Sequence, residues 1–355
     1  MTTPRLVALD ASGTPDFVDR LRSIWSDGDA AFPVDPRLPG PAREHLLVTM
    51  GVNDPVEPGD ALVMATSGST GEPKGVVLTH DAVAASAEAT SHRLGVDPTR
   101  HHWLACLPLA HVGGLSVVTR ALHTDTPLTV QPGFDAEAVT RAAVIGCTHV
   151  SLVATALQRI DGSMFECIVL GGSAPPPDRP ANTVATYGMT ETGSGIVYDG
   201  MPLDGVEVRA DEDGQLWIRG PMLLRCYRDG VDPKDAEGWF RTGDLGEVRQ
   251  DGSISVSGRA GDLIITGGEN VWPDPVERRL REHPQLDDAA VFGRPDPEWG
   301  ERVVALIVGD NPPTLDDLRD WVRAELPPHA VPKSIERVDT IPRTALGKLR
   351  RAELT

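Results

Sequence analysis

The chain has 355 residues, with 33 Lys and Arg against 52 Asp and Glu, a formal net charge of −19. That length suits two domains, or one large domain with an appendage. An acidic balance of this size excludes broad binding to nucleic acid or to an anionic membrane surface, both of which need a basic face. A small anionic ligand stays open, because a few local cations suffice for it. Cys106, Cys147, Cys167 and Cys226 stand far apart with no C-x-x-C spacing, so they suggest neither a zinc site nor a disulfide framework, and three of the four, in apolar surroundings, read as small core residues. No signal-peptide pattern opens the chain and no apolar run is long enough to span a bilayer; a cytoplasmic enzyme or binding protein is expected.

In chain order, residues 14–26 predict an amphipathic helix with Phe17, Leu21, Ile24 and Trp25 on one face. Residues 29–41 are rich in proline and read as an extended connector. Residues 61–65 form a short apolar run, expected as a buried strand, and lead into TSGSTGEPKG at 66–75. Three glycines, two serines and two threonines let this stretch bend around an anion. Its N–H groups and hydroxyls can donate to phosphate oxygens, and Lys74 adds a positive charge. It fails the Walker A pattern, since Pro73 stands where the second glycine should be and Gly75 where the Mg-binding hydroxyl should be. Taken alone it reads either as a phosphate loop of another kind or as a flexible surface loop. Asp81 is the expected cap of a helix over 82–93.

Strands are then expected at 103–107, 128–130, 149–153, 167–170 and 183–187. Between them fall helices at 116–122, 135–145 and 154–160, with 108–115 as a turn into the first of these. This alternation predicts an α/β domain with a mainly parallel sheet, whose ligands gather beyond the carboxyl ends of the strands. From about residue 200 the texture changes to half-exposed alternation at 205–209, 214–219 and 252–257, with Asp-Gly turns, and predicts antiparallel β structure. Asp244 is read in a turn after an apolar strand. Beyond 258–262 a strand at 263–266, a helix at 274–282, strands at 289–293 and 303–308 and a helix at 315–326 predict a small α+β domain. The expected class is therefore α/β. A large N-terminal domain (1–258) combines a mostly parallel sheet with a small antiparallel β subdomain; a hinge (259–262) and a small mobile C-terminal α+β domain (263–355) follow.

Six stretches lie in a fixed order: TSGSTGEPKG at 66–75, LPLAHVGG at 107–114, YGMTETG at 187–193, GWFRTGDL at 238–245, GRAGDLIITGGEN at 258–270 and PRTALGKL at 342–349. Together they resemble the adenylate-forming superfamily, which includes acyl-CoA and aryl-CoA ligases, peptide-synthetase adenylation domains and firefly luciferase. The resemblance covers roughly residues 60–355. It implies a two-step reaction: a carboxylate attacks the α-phosphate of ATP, giving an acyl-adenylate and pyrophosphate, and CoA thiolate then displaces AMP. ATP, Mg2+ and CoA are the implied cofactor and co-substrates, and a small carboxylic acid the partner. No nucleic acid and no membrane insertion are implied, and the oligomeric state is left open.

Residue by residue, the resemblance implies Thr66, Ser67, Gly68, Ser69, Thr70, Gly71 and Lys74 around the ATP phosphates. It sets Tyr187 against adenine with Gly188 and Ser173 beside it, Thr190 at the α-phosphate and Glu191 on Mg2+. Asp244 would take the ribose hydroxyls, and Arg259 the ribose or phosphate. Lys348 would serve adenylation and then leave, while His111 would gate the acyl and nucleotide sites. Gly171, Gly172, Gly188, Met189, Ser116 and His111 would line the acyl pocket, and Gly267, Gly268 and Glu269, with Asn270, the CoA face. Many members carry Asp or Lys where Gly261 stands, so any hydrogen bond from that side chain is missing here.

Only 65 residues precede the glycine-rich stretch, and this shortness, with LPLAHVGGLS at 107–116 followed by Arg120, and SLVAT at 151–155 followed by Leu157, is similar to the short actinobacterial o-succinylbenzoate–CoA ligases of menaquinone synthesis. Such an acid has two carboxylates, one activated and one needing a polar or cationic partner; His111, Ser116 and Arg120 are candidates, with Arg120 on either face of its helix. The alternatives are a CoA ligase or carrier-protein adenylating enzyme for another aryl or medium-chain acid, and a nucleotide-binding protein without catalysis.

Overall fold

A computed structural model describes residues 3–67, 73–173, 175–343 and 349–354. Two compact units emerge: residues 1–209, 217–241 and 249–254 form the first, and 210–216, 242–248 and 255–355 the second.

The first unit begins with β1 (Leu6–Asp10), α1 (Pro15–Ser26), β2 (Ala30–Val34), α2 (Gly40–Thr49), β3 (Asp60–Ser67), β4 (Pro73–Thr79) and α3 (His80–Leu94). α1 is the expected amphipathic helix, burying Phe17, Leu21 and Ile24, while the Trp25 indole N–H donates to the Ala61 carbonyl at 2.9 Å. β2 corrects the reading of 29–41 as a connector. Its five residues are all buried, paired in parallel with β1 and β3. Pro33 is tolerated there although a proline argues against a central strand. A sheet of order β1-β2-β3-β4-β14 results, where β14 is Cys226–Tyr227. Its core includes Leu6, Phe32, Met50, Val63 and Val77.

β3 and β4 pair antiparallel, with Thr66 opposite Lys74 and Ser67 opposite Pro73. Much of the stretch expected as a loop is therefore strand, and its tip, including Gly68, Ser69, Thr70 and Gly71, lies outside the described residues. The cap of α3 is Thr79, whose hydroxyl accepts from the Ala82 N–H at 3.1 Å; Asp81 sits in the first turn. Both satisfy the helix N-terminus, one by a direct bond and one by charge.

Next come β5 (Trp103–Ala105), α4 (Val112–His123), β6 (Leu128–Val130), α5 (Ala136–Val144), β7 (His149–Leu152), α6 (Ala154–Leu157), β8 (Cys167–Leu170), β9 (Thr183–Gly188), β10 (Gly195–Tyr198) and β11 (Met201–Pro202). The sheet order is β11-β10-β9-β8-β7-β5-β6, with β6, β5, β7, β8 and β9 parallel and β10 and β11 antiparallel. This is the mainly parallel sheet the alternation predicts. Leu104, Val150, Ile168 and Leu170 pack with Val139 of α5 and Leu157 of α6. α4 starts one turn earlier than expected, which puts His111 at its N-cap position.

β12 (Glu207–Ala210), β13 (Gln215–Arg219), β15 (Phe240–Val248) and β16 (Ile254–Arg259) form a sheet in that order. Asp244 lies inside β15 and not in a turn. The departure has a local cause, since Gly243 adopts φ +77 within the strand. The second unit continues with β17 (Ile264–Thr266), β18 (Glu269–Val271), α7 (Pro273–Arg281), β19 (Asp288–Asp296), β20 (Gly300–Val308), α8 (Leu315–Arg323) and β21 (Ser334–Arg337). Its sheet runs β18-β17-β20-β19, with β21 parallel to β20. Val276 and Leu280 of α7 and Leu318 and Val322 of α8 cover one face, as the helical spacing predicts.

At the base of the β3–β4 hairpin Asp60 is buried, its side chain 1% exposed, and Arg225 grips it with two bonds of 2.8 Å. Arg225→Met leaves that carboxylate in the interior without its cation. The expected cost is about 3 kcal/mol, the low end for a broken buried pair because Arg225 is itself partly exposed. Urea unfolding of the variant measures it, and a loss below about 1 kcal/mol would mean that water replaces the guanidinium.

Candidate active site

Strand carboxyl ends and the β3–β4 hairpin gather most of the expected residues of the first unit. After β8 the chain turns at Gly171 and Gly172, the latter at φ +90, with Ser173 exposed beside them. A Cβ on Gly171 would stand 2.9 Å from the Thr186 hydroxyl of β9, so the two strand ends approach as closely as glycine allows. Tyr187 is half-buried near the end of β9, opposite Val197. Gly188 is paired with Gly195, and a Cβ there would lie 2.2 Å from the Ser194 carbonyl oxygen, so only glycine fits.

The chain then makes a 3₁₀ turn over Thr190–Thr192. Thr192, fully buried, holds it: the Met189 N–H donates to its Oγ1 at 3.0 Å, and the hydroxyl lies 2.7 Å from the Ser194 carbonyl oxygen. Thr190 and Glu191 ride on this turn, both half-buried. Glu191 is tied twice to the β14 segment, since its carbonyl accepts from the Leu224 N–H at 2.8 Å and its Oε1 from the Tyr227 hydroxyl at 3.1 Å. Lys74 Nζ lies 5.1 Å from the centre of the Tyr227 ring, within cation–π reach. One tyrosine thus joins the expected metal carboxylate to the expected phosphate lysine. Sequence reading did not select Tyr227; its only signal was that it is one of three tyrosines in the chain.

Thr66 faces Lys74 across the hairpin, its hydroxyl 3.4 Å from the Lys74 carbonyl oxygen. His111 follows β5 at the N-cap of α4, half-buried. Ser116, one turn on, is buried and lines a small cavity with Met64, Leu78, Ser86, Leu115 and Gly193. Arg120 faces inward and not outward: it is 2% exposed, stacked 4.7 Å over Trp103, with Nε and Nη1 making no hydrogen bond. Burial pulls its pKa down, and the same burial, with His101 and Arg120 nearby, lowers His149 to about 4 and keeps it neutral.

In the second unit Asp244 is 5% exposed, and Arg259, expected as a separate ligand contact, pairs with it, Nε to Oδ1 at 2.9 Å. The Asp244 N–H donates to Thr242 Oγ1 at 3.0 Å, and Gln215 Nε2 donates to the Asp244 carbonyl at 2.7 Å. Gly267 and Gly268, at φ +60 and +83, make the two-residue turn between β17 and β18 and leave Glu269 exposed. Gly261 has nothing within 4 Å of a notional Cβ. Lys348 lies outside the described residues.

Thr192→Val removes the acceptor of the Met189 N–H while keeping shape. A loss of about 1–3 kcal/mol is expected from the orphaned buried group, read as a lower urea midpoint at unchanged slope.

The AMP-binding enzyme family matches residues 26–228, and the AMP-binding enzyme C-terminal domain residues 275–348. A probable 2-succinylbenzoate–CoA ligase of Mycobacterium tuberculosis is 40% identical over 97% of this chain and 95% of its own length. A 2-succinylbenzoate–CoA ligase of Listeria monocytogenes is 33% identical over 83% of this chain and 69% of its own. The o-succinylbenzoate CoA synthetase of Bacillus subtilis in complex with its acyl-adenylate intermediate superposes with a TM-score of 0.86 at 26% identity, covering 99% of this chain and 88% of that one. The same enzyme in complex with ATP and magnesium ion superposes with a TM-score of 0.88 at 25% identity, covering 100% and 90%.

Proposed function

Because the chain belongs to the AMP-binding enzyme family, we propose that it is an ATP-dependent 2-succinylbenzoate–CoA ligase of menaquinone synthesis that works through an acyl-adenylate. In the first step a carboxylate oxygen of the acid bonds to the α-phosphorus of ATP and the bond to pyrophosphate breaks. In the second the CoA thiolate attacks the acyl carbonyl and AMP leaves. Positioning and charge neutralisation supply most of the acceleration in such a transfer.

Thr66, Ser67, Gly68, Ser69, Thr70, Gly71 and Lys74 take the pyrophosphate end of ATP in this reading. Tyr187, Gly188 and Ser173 take the adenine, and Asp244 with Arg259 the ribose. Thr190 donates to the α-phosphate. Magnesium fits the donor set: Glu191 offers a carboxylate with Oε1 held by Tyr227, and among the described residues no three His, Cys, Asp or Glu gather into a cage. A single carboxylate with phosphate oxygens and water is how that ion is usually held, and when bound it neutralises phosphate charge. Gly171, Gly172, Met189, Ser116 and His111 border the acid, and Gly267, Gly268 and Glu269 the pantetheine arm. The exchange of half-reactions is assigned to rotation at 259–262, between a large domain of 1–258 and a small one of 263–355.

Arg120 carries the choice of acid. A fully buried guanidinium with two idle donors and, among the described residues, no carboxylate ion-paired with it costs stability unless something pairs with it. It lies roughly 13 Å along α4 from His111, nine residues at helical rise. An elongated aromatic acid activated near His111 can present its second carboxylate in that direction, which a monocarboxylate cannot.

ATP–pyrophosphate exchange with 2-succinylbenzoate, followed by CoA addition, tests the whole reading; no exchange with this acid would end it. Lys348→Ala is expected to lose adenylation far more than thiolysis of supplied acyl-adenylate, and equal loss would refute the role of the lysine. Arg120→Met is expected to raise the KM of the two-carboxylate acid by about tenfold or more, one lost charged contact. Its melting temperature should stay level or rise, since an apolar side chain replaces an unpaired buried charge. An unchanged KM would remove Arg120 from recognition.

A further inference from the structure

Tyr227, the last residue of β14, stands on a segment fixed from both sides. Cys226 pairs with Val77 and Tyr227 with Val76. On one flank Arg225 grips the buried Asp60 with two bonds of 2.8 Å. On the other, the Arg228 N–H donates to the Gly75 carbonyl at 2.7 Å and its Nε to the Met50 carbonyl at 3.1 Å. The Tyr227 N–H donates to the Val231 carbonyl at 2.8 Å, and its own carbonyl accepts from the Gly230 N–H at 2.9 Å. The base of this side chain has little freedom.

Its hydroxyl donates to Glu191 Oε1 at 3.1 Å. The turn that carries Glu191 does not need that bond. Thr192 already holds its backbone through the Met189 N–H and the Ser194 carbonyl, and the Leu224 N–H ties the Glu191 carbonyl to the neighbouring segment. What those bonds leave free is the Glu191 side chain. A glutamate carboxylate sits on a flexible stem, and its rotamer freedom must be removed before it can hold an ion. The phenol removes part of that freedom at one oxygen. It does so without bringing a charge, whereas an arginine or lysine in its place would neutralise the carboxylate and weaken its pull on a cation. Lys74 lies over the Tyr227 ring, 5.1 Å from its centre, and among the described residues no cation is ion-paired with Glu191. The carboxylate is oriented but not neutralised.

We propose that Tyr227 is a positioning residue for the metal carboxylate, its hydroxyl fixing Glu191 by one oxygen so that the other is left for magnesium. The proposal rests on the reading of Glu191 given above. Hydrogen bonds that orient a metal ligand from behind are worth about ten- to a hundredfold in metal affinity. A tie that served only the fold would weaken ATP binding with or without the metal. A tie that serves the carboxylate weakens only the part of ATP binding that magnesium supplies.

The test measures ATP binding by calorimetry, with no acid present, in excess Mg2+ and in EDTA. It compares the parent, Tyr227→Phe, Glu191→Ala and the double variant. Phenylalanine keeps the ring and removes only the donor. Tyr227→Phe should weaken ATP binding roughly tenfold in Mg2+ and by less than about threefold in EDTA. In the Glu191→Ala background the same change should cost less than about twofold in either condition, because the group it orients is gone. ATP–pyrophosphate exchange with 2-succinylbenzoate gives a second readout. The magnesium midpoint of Tyr227→Phe should lie about tenfold above that of the parent, with the rate at saturating Mg2+ restored to within about threefold. Equal weakening in Mg2+ and EDTA, a full loss that persists beside Glu191→Ala, or a magnesium midpoint like the parent's overturns the proposal. If Glu191→Ala binds ATP in Mg2+ as the parent does, the reading of Glu191 fails and this proposal with it. If Glu191→Ala loses the magnesium dependence and Tyr227→Phe keeps it, only this proposal falls. Absence of exchange in the parent would end the reading of the acid, and the binding measurements would then decide on Tyr227.

Discussion

Strand β4 is the constraint on which the first unit depends. One edge of it pairs with β3 and the other with β14, so a single backbone sets both neighbours in register. Pairing with β3 puts Lys74 opposite Thr66. Pairing with β14 puts Tyr227 opposite Val76, from where its hydroxyl reaches Glu191 and its ring lies under Lys74. A slip of one residue would turn every side chain to the other face. Val76, Val77 and Leu78 are all buried, so such a slip would also break the core. The register that satisfies the core is the one that assembles the charged groups.

Two buried charges in this unit behave oppositely, and the contrast separates structure from function. Asp60 has a bidentate arginine and an N–H from Glu57 at 3.1 Å; its charge is matched inside the protein and holds the hairpin base to the 225 segment. Among the described residues Arg120 has the indole face of Trp103 against it, and its Nε and Nη1 donate to nothing. A structural ion in the interior is normally paired, because desolvation of a lone charge outweighs what packing returns. An unmatched one fits a ligand charge.

The second unit shows the same economy with other parts. Asp244 and Arg259, one buried and one largely exposed, are joined across β15 and β16, so the groups expected on the ribose arrive already paired and oriented. Arg351 connects the turn beyond Arg259 to α7 and to the end of the chain. Both arrangements use arginine's fixed fork of donors, which keeps its geometry with less ordering than an ammonium on a flexible stem.

Local patterns carried the expectations for elements whose signal lies within one turn or one strand. Helix α1 follows from apolar spacing, the start of α3 from capping residue types, the parallel order from alternating strands and helices, and the six ordered motifs from residue types at short range. β2 was hidden because Pro33 and its neighbours resemble a connector until their burial between β1 and β3 is seen. Asp244 was misplaced because Gly243 mimics a turn inside a strand. What lay beyond the sequence are the pairings at long separation: Asp60 with Arg225, 165 residues apart, Glu191 with Tyr227, 36 apart, and Glu277 with Arg351, 74 apart. A residue's type and near neighbours determine what it can donate, accept or bury. Only the folded chain decides which distant partner meets it, because that choice is made by the packing of whole sheets and not by any local preference.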